Sequence, residues 1–217
     1  MMLALYGHPF SSYTWKALIA LYANATPFEF RMVDPDHPDN SAFVAQASPL
    51  GRFPVLVDGS RTVFEATAII DYLHLRHAGP AQLLPADPEA AVEMRMIDRV
   101  FDLSVMDVMQ EIVAEHLRSP EDPDPAVASR VHDRLDRSYR WIDRWLGDNP
   151  PGDTITLVEC AAAPSLFYAD WVHRIPPELD RLRAWRAHLL ALPPVKRCVD
   201  EARPYRAYFP LGAPDRD

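Results

Sequence analysis

The sequence predicts an α+β fold followed by an all-helical region. Short apolar runs typical of strands are confined to residues 1–77. From residue 89 to residue 217, apolar side chains recur at helical spacing. The segment 78–88 between them is rich in residues that break regular structure, namely Gly79, Pro80, Pro85 and Pro88. We therefore predict a first domain over 1–77, a linker over 78–88 and a second domain over 89–217.

Composition narrows the class of protein. The chain has 217 residues and a formal net charge of −9, and its Lys and Arg residues are dispersed, which disfavours a nucleic-acid or anionic-membrane surface. No apolar run approaches the roughly 20 residues that a membrane span needs. The start of the chain lacks the basic region of a signal peptide, and with only Cys160 and Cys198 a disulfide framework is not expected. We expect a cytoplasmic protein.

The first element is a short apolar strand, Leu3 to Tyr6, which ends at a Gly-His-Pro break. Ser11 and Ser12 are both candidate N-caps for a helix that follows. Its apolar face is predicted by helical spacing of Trp15, Leu18, Ile19 and Tyr22. A hydroxyl group is thus expected at a helix N-terminus.

A second strand is predicted over residues 28–32, where apolar and charged side chains alternate. Residues 34–47 begin with Pro, Asp and Asn, and we predict an irregular connection there. The predicted order of elements over residues 1–77 is strand, helix, strand, two further strands and a helix.

The stretch from Ser48 to Glu65 holds a loop, a hairpin and a helix start. Pro54 begins the strand Val-Leu-Val, where a missing N–H does least harm. Asp58-Gly59 predicts the turn to a partner strand that ends at Phe64. Because Phe53 precedes a proline, its backbone is extended and its N–H and C=O are free to pair with an extended ligand. Spacing alone does not predict a cis bond there, since only about 5–6% of X-Pro bonds are cis.

The pattern Ser-Pro-x-Gly-x-x-Pro-x-Leu, followed by Phe-Glu-Ala-Thr-Ala-Ile, resembles the thioredoxin-like domain of the glutathione transferase family. The resemblance implies that the bond before Pro54 is cis and that the Phe53 backbone pairs with the cysteinyl unit of glutathione. It places Glu65 and Ala66 at the γ-glutamyl end and Arg52 facing a glutathione carboxylate. Ala66 stands where the family usually has serine, so a hydroxyl is lost, which Thr67 is a candidate to replace. The alternative interpretation is that Arg52 is an exposed loop residue with no role in binding.

The second half of the sequence is predicted to be helical. Two adjacent apolar stripes run between residues 94 and 113, which implies contacts on more than one side of a long helix. Thr156-Leu-Val-Glu159 is a capping box with a structural role. The resemblance extends over these helices and covers most of the chain, up to Tyr205. It implies the all-helical second domain of the glutathione transferase fold.

The chemistry that the resemblance implies is activation of the glutathione thiol. A free thiol has a pKa of about 8.5 and is only roughly 3% ionised at pH 7. Lowering that pKa to about 6.5 requires about 2.7 kcal/mol. One hydroxyl donor to the thiolate contributes about 1.5–3 kcal/mol and a helix N-terminus about 0.3–1 kcal/mol. These two contributions suffice without a general base.

Ser11 aligns with the activating serine of the serine-type classes, so it is the predicted catalytic residue. A capping role for Ser11 or Ser12 is the alternative. Tyr6 is a competitor, because other classes use a tyrosine at the end of the first strand. Tyr13 stands where a zeta-like motif has cysteine, which argues against maleylacetoacetate isomerase and against thiol-transfer chemistry that needs a cysteine.

An electrophile pocket is expected between the domains, lined by Phe10, Met106 and Met109; core packing is the alternative for the methionines. His8 and His37 are expected to be solvated loop residues. No spacing of His, Cys, Asp and Glu predicts a metal site. The resemblance thus implies a cytosolic, homodimeric glutathione transferase with glutathione as co-substrate and a small hydrophobic electrophile. The alternatives are a non-catalytic binding or interaction protein and a glutathione-dependent isomerase or dehalogenase.

Overall fold

The computed structural model describes residues 2–217, and its sheet has four strands. They lie in the spatial order β2-β1-β3-β4, with β1 parallel to β2 and antiparallel to β3, and β3 antiparallel to β4. The bounds are β1 (Leu3–Gly7), β2 (Phe28–Met32), β3 (Val55–Asp58) and β4 (Arg61–Phe64). The predicted hairpin is confirmed, with Gly59 at φ +61° in its turn, a conformation that glycine adopts without a steric penalty.

Three helices cover the two faces of this sheet. They are α1 (Ser12–Ala23), α2 (Pro38–Ala47) and α3 (Ala66–Arg76). Leu3, Leu5 and Leu56 point to the face that α1 and α3 cover, and Tyr6 and Val55 point to the opposite face. This alternation is the two-residue period of strands, and it confirms the predicted α+β fold of the first part.

The prediction of an irregular connection over 34–47 is wrong, because α2 occupies most of it. Pro38 lies in the first turn of α2, where its missing N–H breaks no helical hydrogen bond. Val44 is the one buried residue of this helix and packs with Tyr6 and Val55. Because the buried face of α2 is so narrow, its sequence shows no clear helical period. Contact with the sheet stabilises this helix more than its own sequence pattern does.

Helices make up the second part of the chain, as predicted. A π-helical turn, Asp102–Met106, joins α4 to α5 without a break, and a 3₁₀ turn, Arg203–Tyr208, follows α9. Almost every residue of α7 is buried, and α7 contacts α1 and α4. The helices are α4 (Pro88–Phe101), α5 (Asp107–Arg118), α6 (Pro125–Asp148), α7 (Leu157–Val172), α8 (Asp180–Ala191) and α9 (Pro193–Ala202).

The capping box before α7 is confirmed. The Thr156 hydroxyl accepts a hydrogen bond from the Val158 N–H, and the Glu159 carboxylate accepts one from the Thr156 N–H at 2.9 Å. The Leu157 N–H donates to the carbonyl of Leu83 at 2.8 Å, and Leu83 is fully buried. The segment before α4 is therefore packed against the start of α7.

A buried ion-pair network joins the two parts of the chain. Lys16 of α1 is 1% exposed, and its Nζ lies 2.7 Å from Asp98 Oδ1 and 2.7 Å from Asp102 Oδ1. The hydroxyl of Thr67 at the start of α3 lies 3.0 Å from Lys16 Nζ and 3.0 Å from Asp98 Oδ2. Arg99 contacts both carboxylates from the more exposed side. Two cations thus balance two carboxylates where α1, α3 and α4 meet.

Both cysteines, Cys160 and Cys198, are free and buried, and burial raises the pKa of each thiol well above its ordinary value. Within residues 2–217, no helix has both the length and the apolar character needed to cross a membrane.

Candidate functional site

Two adjoining cavities lie between the sheet and the helices of the second part. The smaller has a volume of about 170 Å³ and the larger about 760 Å³. Tyr13 and Phe53 line both, so these two side chains stand where the cavities meet. Ser11 lines the larger cavity and Glu65 the smaller.

The small cavity brings together five of the six residues that the sequence assigns to glutathione, namely Arg52, Phe53, Pro54, Glu65 and Ala66. The Phe53–Pro54 peptide bond is cis. The Ser48 hydroxyl accepts a hydrogen bond from the Arg52 N–H at 2.8 Å and donates one to the Arg52 carbonyl at 3.1 Å. The loop that carries these residues is therefore fixed by its own hydrogen bonds.

Glu65 has an unusual backbone conformation. Its φ is +68°, in the left-handed region that disfavours side chains other than glycine, and it directly precedes α3. Such strain costs on the order of 1–3 kcal/mol and persists where the surrounding structure holds it, often at functional sites. Glu65 is exposed and makes no capping hydrogen bond, so the first N–H groups of α3 stay available to an anionic group of a ligand.

Thr67 does not line the small cavity. Its hydroxyl contacts Lys16, Asp98 and Arg99 in the buried ion-pair network. In this structure the Thr67 hydroxyl is engaged in contacts with α1 and α4 and is not part of the small cavity.

The helical part contributes charged residues to the small cavity that the sequence analysis missed, namely Arg99, Asp102 and Asp107. Burial raises the pKa of Asp102, and the nearby Lys16 opposes that rise. With Arg52 and Glu65 the cavity carries both signs of charge, which suits a ligand with carboxylate and ammonium groups. These residues lie far apart in sequence from the 48–65 stretch, so no local pattern could reveal them.

Ser11 is the N-cap of α1, and its Oγ accepts a hydrogen bond from the Thr14 N–H at 3.2 Å. Accepting that bond uses a lone pair and leaves the hydroxyl proton to donate elsewhere. The loop before Ser11 is held by the Trp15 indole, which donates to the Pro9 carbonyl at 2.6 Å, and by the Tyr168 hydroxyl, which donates to the Phe10 carbonyl at 2.9 Å. Capping and thiol activation by Ser11 are therefore compatible.

The competing hydroxyls differ in their surroundings. Ser12 also lines the large cavity but is only 5% exposed. Tyr6 lines neither cavity, and its hydroxyl lies 3.3 Å from Arg31 Nη1 on the other side of the sheet. The Tyr13 hydroxyl donates to Asp107 Oδ1 at 2.6 Å, and burial and this hydrogen bond raise the pKa of Tyr13 well above its ordinary value. Tyr13 is therefore protonated and already paired.

Two of the three residues expected at the electrophile pocket, Phe10 and Met109, line the large cavity, although Met109 is only 1% exposed and also belongs to the hydrophobic core. Met106 does not; it is 1% exposed and belongs to the hydrophobic core. Met106 ends the π-helical turn, whose wider coil changes the angular spacing of side chains. Met106 thus follows the alternative of core packing.

The end of the chain also contributes to the large cavity, through Tyr208, Phe209 and Pro210. The resemblance gave no guide beyond Tyr205, although the aromatic run there was a usable signal. His8, expected to be solvated, is partly buried and lines this cavity, whereas His37 lies in an exposed loop with its Nδ1 2.7 Å from Asp34. Among residues 2–217 no group of three or more His, Cys, Asp or Glu side chains is arranged to hold a metal ion.

Two family models match the chain. The model described as the N-terminal domain of glutathione S-transferase matches residues 5–81, and that described as the C-terminal domain matches residues 125–188. The uncharacterized GST-like protein YibF of Escherichia coli is 30% identical over 175 residues, which cover 80% of this chain and 84% of that protein.

A stringent starvation protein A homolog of Coxiella burnetii is 26% identical and covers 76% of this chain and 75% of its own. Among solved structures, the glutathione transferase URE2P8 of Phanerochaete chrysosporium with oxidized glutathione has a TM-score of 0.82 at 18% identity, covering 95% of this chain and 97% of its own. That likeness shows the same fold. The two matched family models and the extent of the similarity to YibF show that this chain belongs to the glutathione S-transferase family.

Proposed function

We propose that this protein is a glutathione transferase. Glutathione lies with its γ-glutamyl end in the small cavity, its cysteinyl unit against the Phe53 backbone, and its thiol at Ser11. The Ser11 hydroxyl donates a hydrogen bond to the sulfur and favours the thiolate, which attacks an electrophile in the large cavity. Residues 1–77 form the glutathione-binding domain in this proposal, and the cytoplasm stays the predicted location.

The observation that carries the proposal is that the two cavities adjoin and share Tyr13 and Phe53 as lining residues. Glu65 and Ala66 line one, Ser11 lines the other, and Phe53 stands where they meet. In this proposal an extended tripeptide lies along Phe53, between Glu65 and Ser11. Arg52 and Arg99 offer partners for its carboxylates, and Glu65 and Asp102 for its ammonium group.

Calorimetric titration with glutathione tests this proposal. We expect saturable binding in the micromolar to low millimolar range. Glu65→Gln keeps the size and the backbone strain of the residue but removes its charge, so we expect affinity to fall about tenfold, since a hydrogen bond to a charged group contributes about 1.5–3 kcal/mol. Glu121→Gln, at an exposed loop position, is the matched control and should bind as the unaltered protein does.

The absence of heat at several millimolar glutathione would contradict the proposal and favour a non-catalytic binding protein. One observation supports this second candidate. The described lining of the small cavity holds neither serine nor threonine, because Ala66 has no hydroxyl and Thr67 is turned into the ion-pair network.

We also propose that two copies of the chain associate. Val92 and Met96, one helical turn apart on α4, are 66% and 56% exposed, and Leu103 in the π-helical turn is 55% exposed. Leu50 and Phe64 on the sheet part are exposed as well. Exposed apolar surface of this kind is typical of protein interfaces. Leu103 also lines the small cavity, so a partner on this face would cover the edge of the glutathione site.

Sedimentation equilibrium tests the dimer. We expect the unaltered chain to sediment at twice its 24.6 kDa mass and Met96→Glu to shift the equilibrium to monomer, because a buried unpaired carboxylate opposes association. Trp141→Glu, on α6 and also exposed, should leave the dimer intact. A monomeric unaltered protein would contradict this assignment without affecting glutathione binding.

A further inference from the structure

His8 lies at the wall of the large cavity with its two ring nitrogens in different states. Nδ1 lies 3.1 Å from the Phe10 backbone nitrogen, whose N–H is a donor, so Nδ1 must be the acceptor. In the neutral ring the proton is then on Nε2. Burial lowers the pKa of His8, which the Asp34 carboxylate only partly offsets, so the ring is neutral at pH 7.

The Nε2–H group of His8 has no hydrogen-bond acceptor among residues 2–217. This nitrogen is not among the buried polar atoms that lack a partner, so it is accessible to a ligand or to solvent. The ring is held in place by Tyr205, edge-on at 4.7 Å between centroids, and by Tyr208 at 6.1 Å. The Ser11 N–H donates to the His8 carbonyl at 2.9 Å, so both residues belong to one short turn. His8 therefore places a donor without a protein acceptor in the wall of the cavity, close in sequence to the proposed thiol site.

The rest of the cavity wall restricts what can occupy it. Six aromatic side chains line it, which favours a flat aryl group. Asp34 and Asp36 also line it, and the described lining includes no Lys or Arg, so electrophiles that carry a carboxylate are disfavoured. The aromatic residues are Phe10, Tyr13, Phe53, Tyr168, Tyr208 and Phe209.

We propose that His8 is a catalytic residue whose Nε2–H donates a hydrogen bond to the carbonyl oxygen of an aryl α,β-unsaturated ketone during conjugate addition of glutathione. This inference rests on the proposed transferase function. The thiolate sulfur forms a bond to the β-carbon, and the π electrons of the C=C bond move to give an enolate. His8 stabilises the developing charge on oxygen, and the proton released by the thiol ends on the α-carbon. No group leaves and no redox change occurs.

A pair of substrates tests this role in the full-length protein. Benzylideneacetone develops an oxyanion when the thiolate adds, whereas benzyl chloride expels chloride and develops none. His8→Asn keeps an acceptor for the Phe10 N–H but removes the donor at the Nε2 position. We expect kcat with benzylideneacetone to fall about tenfold or more, as when other oxyanion donors are removed, and kcat with benzyl chloride to stay within about twofold.

Two controls separate the role of His8 from an effect on folding or on glutathione. His74→Asn, on α3 outside both cavities, should change neither rate. Calorimetry should give the same glutathione affinity for His8→Asn as for the unaltered protein. Equal losses on both substrates would overturn the inference, because His8 would then only shape the loop; no loss on either would also overturn it.

The unaltered protein separates this inference from the proposed function. If it turns over benzyl chloride but not benzylideneacetone, the substrate class assigned to His8 is wrong while the transferase function stands. If it does not bind glutathione at all, both are wrong.

Discussion

Replacing Ser11 by alanine should raise the pKa of the bound glutathione thiol and lower kcat about tenfold to a hundredfold. The Ser11 hydroxyl lines the large cavity and keeps its proton for donation, since its hydrogen bond with Thr14 uses only a lone pair. Loss of one hydrogen bond to a charged sulfur corresponds to about 1.5–3 kcal/mol. The thiolate absorbance of the complex, followed against pH, measures the shift directly.

The sign of the pH effect is fixed by the mechanism. Without the donor the thiol pKa returns towards the free value of about 8.5, so the rate of Ser11→Ala should recover as pH rises towards that value. Glutathione affinity should stay nearly unchanged, because the remaining contacts lie at the γ-glutamyl end. If the ratio of the rates of Ser11→Ala and the unaltered protein is the same at every pH, the substitution has changed the pocket and not the thiol pKa.

Ser12→Ala is the matched control, since Ser12 lines the same cavity but is 5% exposed. It should retain most of the activity. Tyr13→Phe tests the phenol that is paired with Asp107, and Tyr6→Phe tests the one beside Arg31. If either tyrosine variant shows the raised thiol pKa and Ser11→Ala does not, the activating role belongs to that tyrosine.

The parts of the fold that could be predicted from sequence are those whose cause is local. The Thr156–Glu159 capping box lies within one turn of helix, and Asp58-Gly59 marks its own hairpin turn. The α2 helix was missed because Val44 alone is buried on it and the sheet supplies the stabilising contact. Where tertiary contacts determine the secondary structure of a segment, a single sequence contains little information that predicts it.

The candidate site divides in the same way. Arg52 to Pro54 and Glu65-Ala66 come from one continuous stretch, so a motif could group them. The charged residues of α4 and α5 and the aromatic residues at the end of the chain reach the cavities only through packing. Met106 packs in the core, which was the stated alternative for both methionines, and it lies in a π-helical turn that an α-helical period does not predict.

Replacing Lys16 by methionine should lower the free energy of unfolding by about 3–5 kcal/mol. Lys16 is 1% exposed and lies 2.7 Å from carboxylate oxygens of both Asp98 and Asp102, which are buried with it. Removing one partner leaves buried charge without compensation, and this is the costly way to break a buried ion pair. Arg99 and Thr67 still contact Asp98, so the loss should fall within that range and not beyond it.

Chemical denaturation of Lys16→Met and of Lys196→Met gives the matched comparison. Lys196 pairs with Asp200 at 2.8 Å, but the two side chains are 64% and 47% exposed, and exposed pairs contribute about 0–1 kcal/mol. A loss for Lys16→Met as small as that of Lys196→Met would mean that the buried network is not what joins the two parts of the chain.

The pH dependence of Lys16→Met identifies the cause of its instability. Burial already raises the folded-state pKa of Asp102, and without Lys16 that pKa rises further, because the main opposing cation is gone. A group with a raised folded pKa stabilises the fold once it is protonated, so the deficit of the variant should shrink as pH falls. Asp102 also lines the small cavity. Glutathione affinity should therefore weaken in Lys16→Met at neutral pH, since the network that joins the domains also positions a carboxylate of the glutathione site.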